Sequence, residues 1–158
     1  MKKNIKIISI LVVSLLLTLS CGFKPVNFKD NQIIYMRNVN VSGDQKISYS
    51  LKNNILLISD KNSENKYDVE IKLDKTDKAK IKDNKGKVTR YSISISANLK
   101  LSNVEDNNKI QRVFVRNGDF DVASNHSDTI NNEKNTTKNI IQQLSDDIIS
   151  FITLAMRN

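Results

Sequence analysis

A single cysteine, a single histidine and no tryptophan occur among the 158 residues, and one proline and four glycines are all that break the chain's local regularity. One cysteine excludes an internal disulfide, and one cysteine with one histidine excludes a zinc site built from those side chains. The histidine, His126, stands in the polar stretch SNHSD and reads as an exposed loop residue rather than a catalytic base. No G-x-S-x-G elbow and no phosphate-cradling glycine loop are present, so the sequence offers no enzyme, no metal and no cofactor. Two patterns imitate sites. Asn40-Val41-Ser42, Asn125-His126-Ser127 and Asn135-Thr136-Thr137 match the glycosylation triplet, which an asparagine-rich chain produces by chance. Asp74, Asp77 and Asp83 with Gly86 lack the alternating oxygens and the closing glutamate of a calcium loop.

What is there begins with the position of the cysteine. Lys2, Lys3 and Lys6 precede an apolar run from Ile7 to Leu19, interrupted by Ser9, Ser14 and Thr18, and Ser20 then stands directly before Cys21. This is the layout of an export signal, and the run is too short for a confident spanning helix. The stretch resembles the lipobox of bacterial lipoproteins, in which cleavage before the cysteine frees its thiol for a diacylglycerol and its amine for a further acyl chain. Ser20 and Gly22 fit that pattern; Thr18 departs from the usual leucine, which lies one place early at Leu17. At about 0.8 kcal/mol per buried methylene, three acyl chains anchor a soluble domain durably. Cys21 is therefore the expected lipid attachment site. The expected organisation is a signal over residues 1–20, a polar tether over 21–31 holding Pro25, and one domain over 32–158.

Loss of the signal removes three lysines and takes the formal charge from +8 to +5. A basic balance suits nucleic acid, a membrane surface or an acidic ligand, and export disfavours nucleic acid.

Apolar periodicity sets out the elements. Residues 33–41 read as a first strand, and Ser42 with Gln45 reads as a capping box that starts a helix near Gly43. Ile47, Leu51, Ile55 and Ile58 mark its buried face, broadened by Leu56 and Leu57. Tyr67, Val69, Ile71 and Leu73 alternate with charged residues as in a strand with one face in water. Residues 75–87 hold six lysines and read as a basic loop or hairpin end. Tyr91 to Leu101 alternate again, Asp106-Asn107-Asn108 supplies a turn, and residues 110–123 return as a fourth strand. A helix capped by Ser127 or Asp128 carries Ile130, Thr137, Ile140, Ile141, Leu144, Ile148, Phe151, Ile152 and Ala155 at helical spacing, roughly 40 Å if continuous. The order β-α-β-β-β-α predicts an α+β fold: a four-stranded, mostly antiparallel sheet with two helices against it.

That order, with CGFKP, KVTRYSISISANLKLSN and the closing NTTKNIIQQLSDDIISFITLAMRN, resembles LptE, the family of lipopolysaccharide-assembly lipoproteins of the outer membrane, in its alphaproteobacterial form. The resemblance implies an outer-membrane location and a one-to-one partnership with the β-barrel LptD. It further implies a place as a plug on the periplasmic side or in the barrel lumen, and a part in delivering lipopolysaccharide to the outer leaflet without any reaction. Beside it, the residues suggest Lys78, Lys80, Lys82, Lys85 and Arg90 as contacts for anionic glycolipid, Arg90 because its planar fork can hold a phosphate by two bonds. Two other readings stay open: a lipoprotein that binds peptidoglycan or a membrane surface, and a periplasmic enzyme or enzyme inhibitor. For the enzyme reading the candidate acids are Asp146-Asp147 and Asp119 with Asp121, which otherwise read as solvated faces.

Overall fold

The computed structural model describes residues 34–105 and 108–155. Strand β1 (Tyr35–Ser42) leads into helix α1 (Gln45–Leu56). Strands β2 (Lys66–Lys82), β3 (Val88–Asn103) and β4 (Lys109–Asp121) follow, and helix α2 (His126–Ala155) closes the described chain. The sheet order is β1-β2-β3-β4. β1 runs parallel to β2, as a crossover through α1 requires, and the other two pairings are antiparallel. This is the α+β fold with the order that the periodicity predicts. Cys21, the lipobox, the tether, Ile33 and the Asp106-Asn107 part of the turn lie outside the described residues.

One face of the sheet carries the core. Val69, Ile71 and Leu73 of β2 and every second residue of β3 from Ile93 to Leu101 are buried there. They meet Ile47, Leu51 and Ile55 of α1 and Ile140, Ile141, Leu144, Ile148 and Ile152 of α2. Each of these β3 positions is 0% exposed, so β3 is the most deeply packed strand of the sheet. The opposite face holds Glu70, Lys72 and Asp74 on β2 and Ser92, Ser94, Ser96 and Asn98 on β3, and both helices lie away from it. The expected half-exposed sheet is thus found.

Several local expectations change. Helix α1 is capped by Asp44, whose Oδ1 accepts hydrogen bonds from the amides of Lys46 (3.0 Å) and Ile47 (3.2 Å), not by Ser42. Ser42 is still paired in β1, which leaves Gly43 to make the corner at φ 125°; a side chain there would drive into the Leu73 carbonyl at 2.5 Å. Leu57 is 79% exposed and Leu56 is exposed too, because the helix ends at Leu56 and both lie off the buried stripe. Residues 75–82 are not loop: β2 continues through them to Lys82, paired with β3, with ladder irregularities around Ile81. Helix α2 starts at His126, ahead of both expected caps, Ser127 and Asp128. Asn125 accepts the Asp128 amide at 2.7 Å, and His126 is its exposed first residue.

Helix α2 spans about 45 Å at 1.5 Å per residue. Only its second half is core-forming, since every buried residue lies at Ile140 or beyond, and Ile130 is half exposed. The polar first half follows the far end of β4. Asn132 donates to the Asp121 carbonyl (3.0 Å) and Thr136 to the Asp119 carbonyl (3.4 Å). Gly118 permits this approach: an added Cβ would stand 2.8 Å from Thr136 Cγ2 and 3.0 Å from Ile140 Cδ1.

Candidate functional site

The β2–β3 hairpin end gathers the basic residues singled out in the sequence. Its turn is built around Asp83, whose Oδ1 accepts the amides of Lys85 (2.8 Å) and Lys87 (2.9 Å), while its carbonyl accepts the Gly86 amide at 3.0 Å. Gly86 takes a φ of 79°, the left-handed step that closes a three-residue hairpin loop. This fixes Lys85 at the tip with Lys82 at its base; Lys78 lies further down β2, and all three are exposed. Among the described residues no carboxylate pairs with Lys78, Lys82 or Lys85.

Lys80 and Arg90 are placed differently. The Lys80 ammonium pairs with Asp119, and Arg90 Nε donates to Asp121 Oδ1 at 2.6 Å. Both acids come from β4, where Ser92 stands opposite Asp119 and Arg90 opposite Asp121 in the antiparallel register. Hydrogen bonds from Lys80 and then Ser92 hold the Asp119 carboxyl below its ordinary value, and the bond from Arg90 does the same for Asp121. The Arg90 guanidinium is raised in turn by Asp121. Asp119 and Asp121 are therefore ion-paired strand residues rather than free solvated acids, and a phosphate on Arg90 would compete with a carboxylate already seated. Asp147 is likewise held, by two bonds from Arg116 at 2.6 and 2.7 Å, while Asp146 accepts one from Gln142.

The pairing of Asp119 and Asp121 with the basic hairpin escaped the residue-by-residue reading because they lie 39 and 31 positions downstream of their partners. The signal was present in the alternation: matching the apolar faces sets Tyr91 against Phe120, where the rings stack at 5.5 Å, and that register forces Arg90 against Asp121.

From the hairpin the bare face of the sheet runs to its other end. Some charges on it are paired across strands: Arg37 and Asn38 bind Asp68, and Lys100 lies 3.8 Å from Glu70. Small hydroxyls and amides occupy its middle, with Thr76, Ser94 and Asn117 in one cross-strand row. On the helix side Lys75 is only 23% exposed and bridges Glu133 (2.7 Å) and Asp77 (3.3 Å). Burial lowers its basicity, and the Glu133 and Asp77 contacts outweigh this and raise it. Among the described residues no cluster of three or more His, Cys, Asp or Glu side chains could hold a metal ion. No described helix is long and apolar enough to cross a membrane. The arrangement is suited to binding through a polar sheet face and a cationic tip.

No family model and no curated protein matches the chain. Among solved structures, the "putative lipoprotein" from Caulobacter crescentus CB15 superposes with a TM-score of 0.58 at 11% identity, over 83% of this chain and 96% of its own. Rare lipoprotein B from Shewanella oneidensis superposes with a TM-score of 0.60 at 9% identity, over 75% of this chain and 93% of its own. At these identities the likeness is one of fold, and the fold is one that proteins described as lipoproteins adopt.

Proposed function

We propose that this protein is an outer-membrane lipoprotein, acylated at Cys21 after loss of residues 1–20, tethered through residues 21–31, and acting from residue 32 onward as the plug and assembly partner of an LptD-like β-barrel. The observation that carries the reading is the division of the sheet. All described helices and the whole core lie on one side, and the other side is mostly serines, asparagines and charges, with Val113 and Val115 exposed on β4. Such a face suits the lumen of an outer-membrane barrel, which is lined by polar side chains. Support also comes from the export signal ending at Cys21 and from the likeness in fold to two proteins described as lipoproteins. In this reading lipopolysaccharide passes the hairpin end, where Lys78, Lys82 and Lys85 carry charge that no described carboxylate neutralises, and Lys80 and Arg90 lend theirs through pairs with Asp119 and Asp121.

The test is purification of the tagged full chain from membranes in mild detergent. A barrel protein recovered at one-to-one stoichiometry, and loss of that barrel from the outer membrane when the chain is depleted, is the expected result. Recovery without a barrel, and an outer leaflet unchanged on depletion, overturns it. Cys21→Ser should separately move the chain from the membrane to the soluble periplasmic fraction. A wild-type chain that still begins at Met1 would refute the acylation.

A further inference from the structure

β4 is an edge strand with two different halves. The Val122 amide bonds to the Thr89 carbonyl, and the β3–β4 register runs without a shift, so even-numbered residues of β4 direct their backbone groups at β3. Odd-numbered residues direct theirs away from the sheet. At Asp119 and Asp121 the outward carbonyls are covered, because Thr136 and Asn132 of α2 donate to them. Over residues 111–117 no described group takes up that role, and the amides and carbonyls of Val113, Val115 and Asn117 form an open ladder. Of the devices that blunt such an edge this stretch has neither proline nor bulge; its charges are Arg112 and Arg116, both on the helix face.

The flanks of the ladder are built for side chains. On the bare face Val113 and Val115 are 57% and 54% exposed and stand two residues apart. On the helix face an open groove of about 490 Å³ is lined by Arg112, Phe114, Phe151 and Leu154 and by the Arg116–Asp147 ion pair. The Arg112 guanidinium lies over Phe151 at 4.8 Å and over Phe114 at 5.6 Å, and no described carboxylate pairs with it. Every charged residue on this half of β4 is a cation, Lys109, Arg112 and Arg116, of which Arg116 is already seated on Asp147. A second copy of the chain is a poor occupant. Symmetric antiparallel pairing centred on the open window would set Arg112 against Arg116 twice, like charges directly opposite.

We infer that residues 111–117 of β4 accept an extended acidic segment of another protein as a fifth strand, with its apolar side chains over Val113 and Val115 and a carboxylate against Arg112. Main-chain bonds supply the affinity and alternate side chains the choice of segment, as in other strand-addition sites. The site is separate from the basic hairpin and does not depend on the barrel reading.

The probe is the labelled peptide Thr-Glu-Val-Leu-Val-Glu-Thr, titrated by fluorescence anisotropy against the full chain in detergent and compared with its counterpart carrying Lys for Glu. The acidic peptide should bind and slow hydrogen exchange over residues 111–117. Val115→Pro removes an outward amide without touching the β3 ladder and should lower affinity by about tenfold or more. Arg112→Glu should reverse the preference to the lysine peptide. The acidic peptide N-methylated at alternate residues should fail on the wild-type chain, which tests the backbone pairing even if a variant does not fold. Equal binding of both peptides, unchanged exchange over 111–117, or full affinity in folded Val115→Pro overturns the proposal. Protection of 111–117 that grows with protein concentration alone overturns it in favour of self-pairing.

Discussion

Asn54 on α1 donates from Nδ2 to Ser145 Oγ on α2 at 2.9 Å, and Ser145 donates in turn to the Ile141 carbonyl at 2.7 Å. Ser145 is fully buried, so this polar chain fixes how the two helices meet within an otherwise aliphatic contact. Ser145→Ala leaves the Asn54 amide short of an acceptor and should cost about 1–2 kcal/mol. Urea unfolding of Ser145→Ala, Asn54→Ala and the double variant checks it: the double should lose less than the sum of the singles. Additive losses would show that the bond contributes nothing of its own.

Ser48 presents the opposite case. Its hydroxyl is buried on α1 and has no hydrogen-bond partner among the described residues. Ser48→Ala removes an unsatisfied polar atom and adds a better helix former, and should raise stability by about 1 kcal/mol. A lower denaturation midpoint in Ser48→Ala would count against the assignment.

The ion pairs on the bare face set a pH dependence. Arg37 lowers the Asp68 carboxyl, Lys80 with Ser92 lowers Asp119, and Arg90 lowers Asp121. A carboxyl lowered on folding contributes stability above its unfolded value, about 3.9, and that contribution is lost as pH falls through the folded value. The denaturation midpoint should therefore drop below about pH 4, weakly and less so in high salt, since these groups are exposed. Asp119→Asn with Asp121→Asn should flatten the drop; an unchanged profile would remove these pairs as its source.

The hairpin lysines divide by partner. Gln at Lys78, Lys82 and Lys85 should weaken lipopolysaccharide binding several-fold at low salt, with little effect near 1 M where the Debye length is about 3 Å. Gln at Lys80 alone should mainly free Asp119. Unchanged affinity in the triple variant, measured with a folded chain, would assign the tip to solubility.

Strand and helix identity were legible because burial on one side imposes a period. Tyr67 to Leu73 and Tyr91 to Leu101 alternate at two, and Ile140 to Ile152 recur at three and four, so each buried face could be named before any contact was known. The segment 75–82 was not legible. Its charged residues carry no apolar alternation, and what makes it a strand is backbone pairing with β3. The helix cap at Asp44 was masked for a related reason: Ser42 has the right chemistry and spacing, but the parallel ladder with β2 holds it in β1 one residue longer.

By itself the sequence determined the order of elements, the polar character of one sheet face and the singular position of Cys21, since these follow from residue type and local spacing. Only the tertiary structure decided which charges remain free. Arg90 and Lys80 lose their independence to Asp121 and Asp119, and Arg116 to Asp147, through registers and helix crossings that join residues about thirty or more positions apart. It also decided that one half of β4 is sealed by α2 while the other is open, because that depends on where Gly118 lets the helix approach the strand. Periodicity is a local property of the chain; pairing and edge coverage are properties of the folded surface.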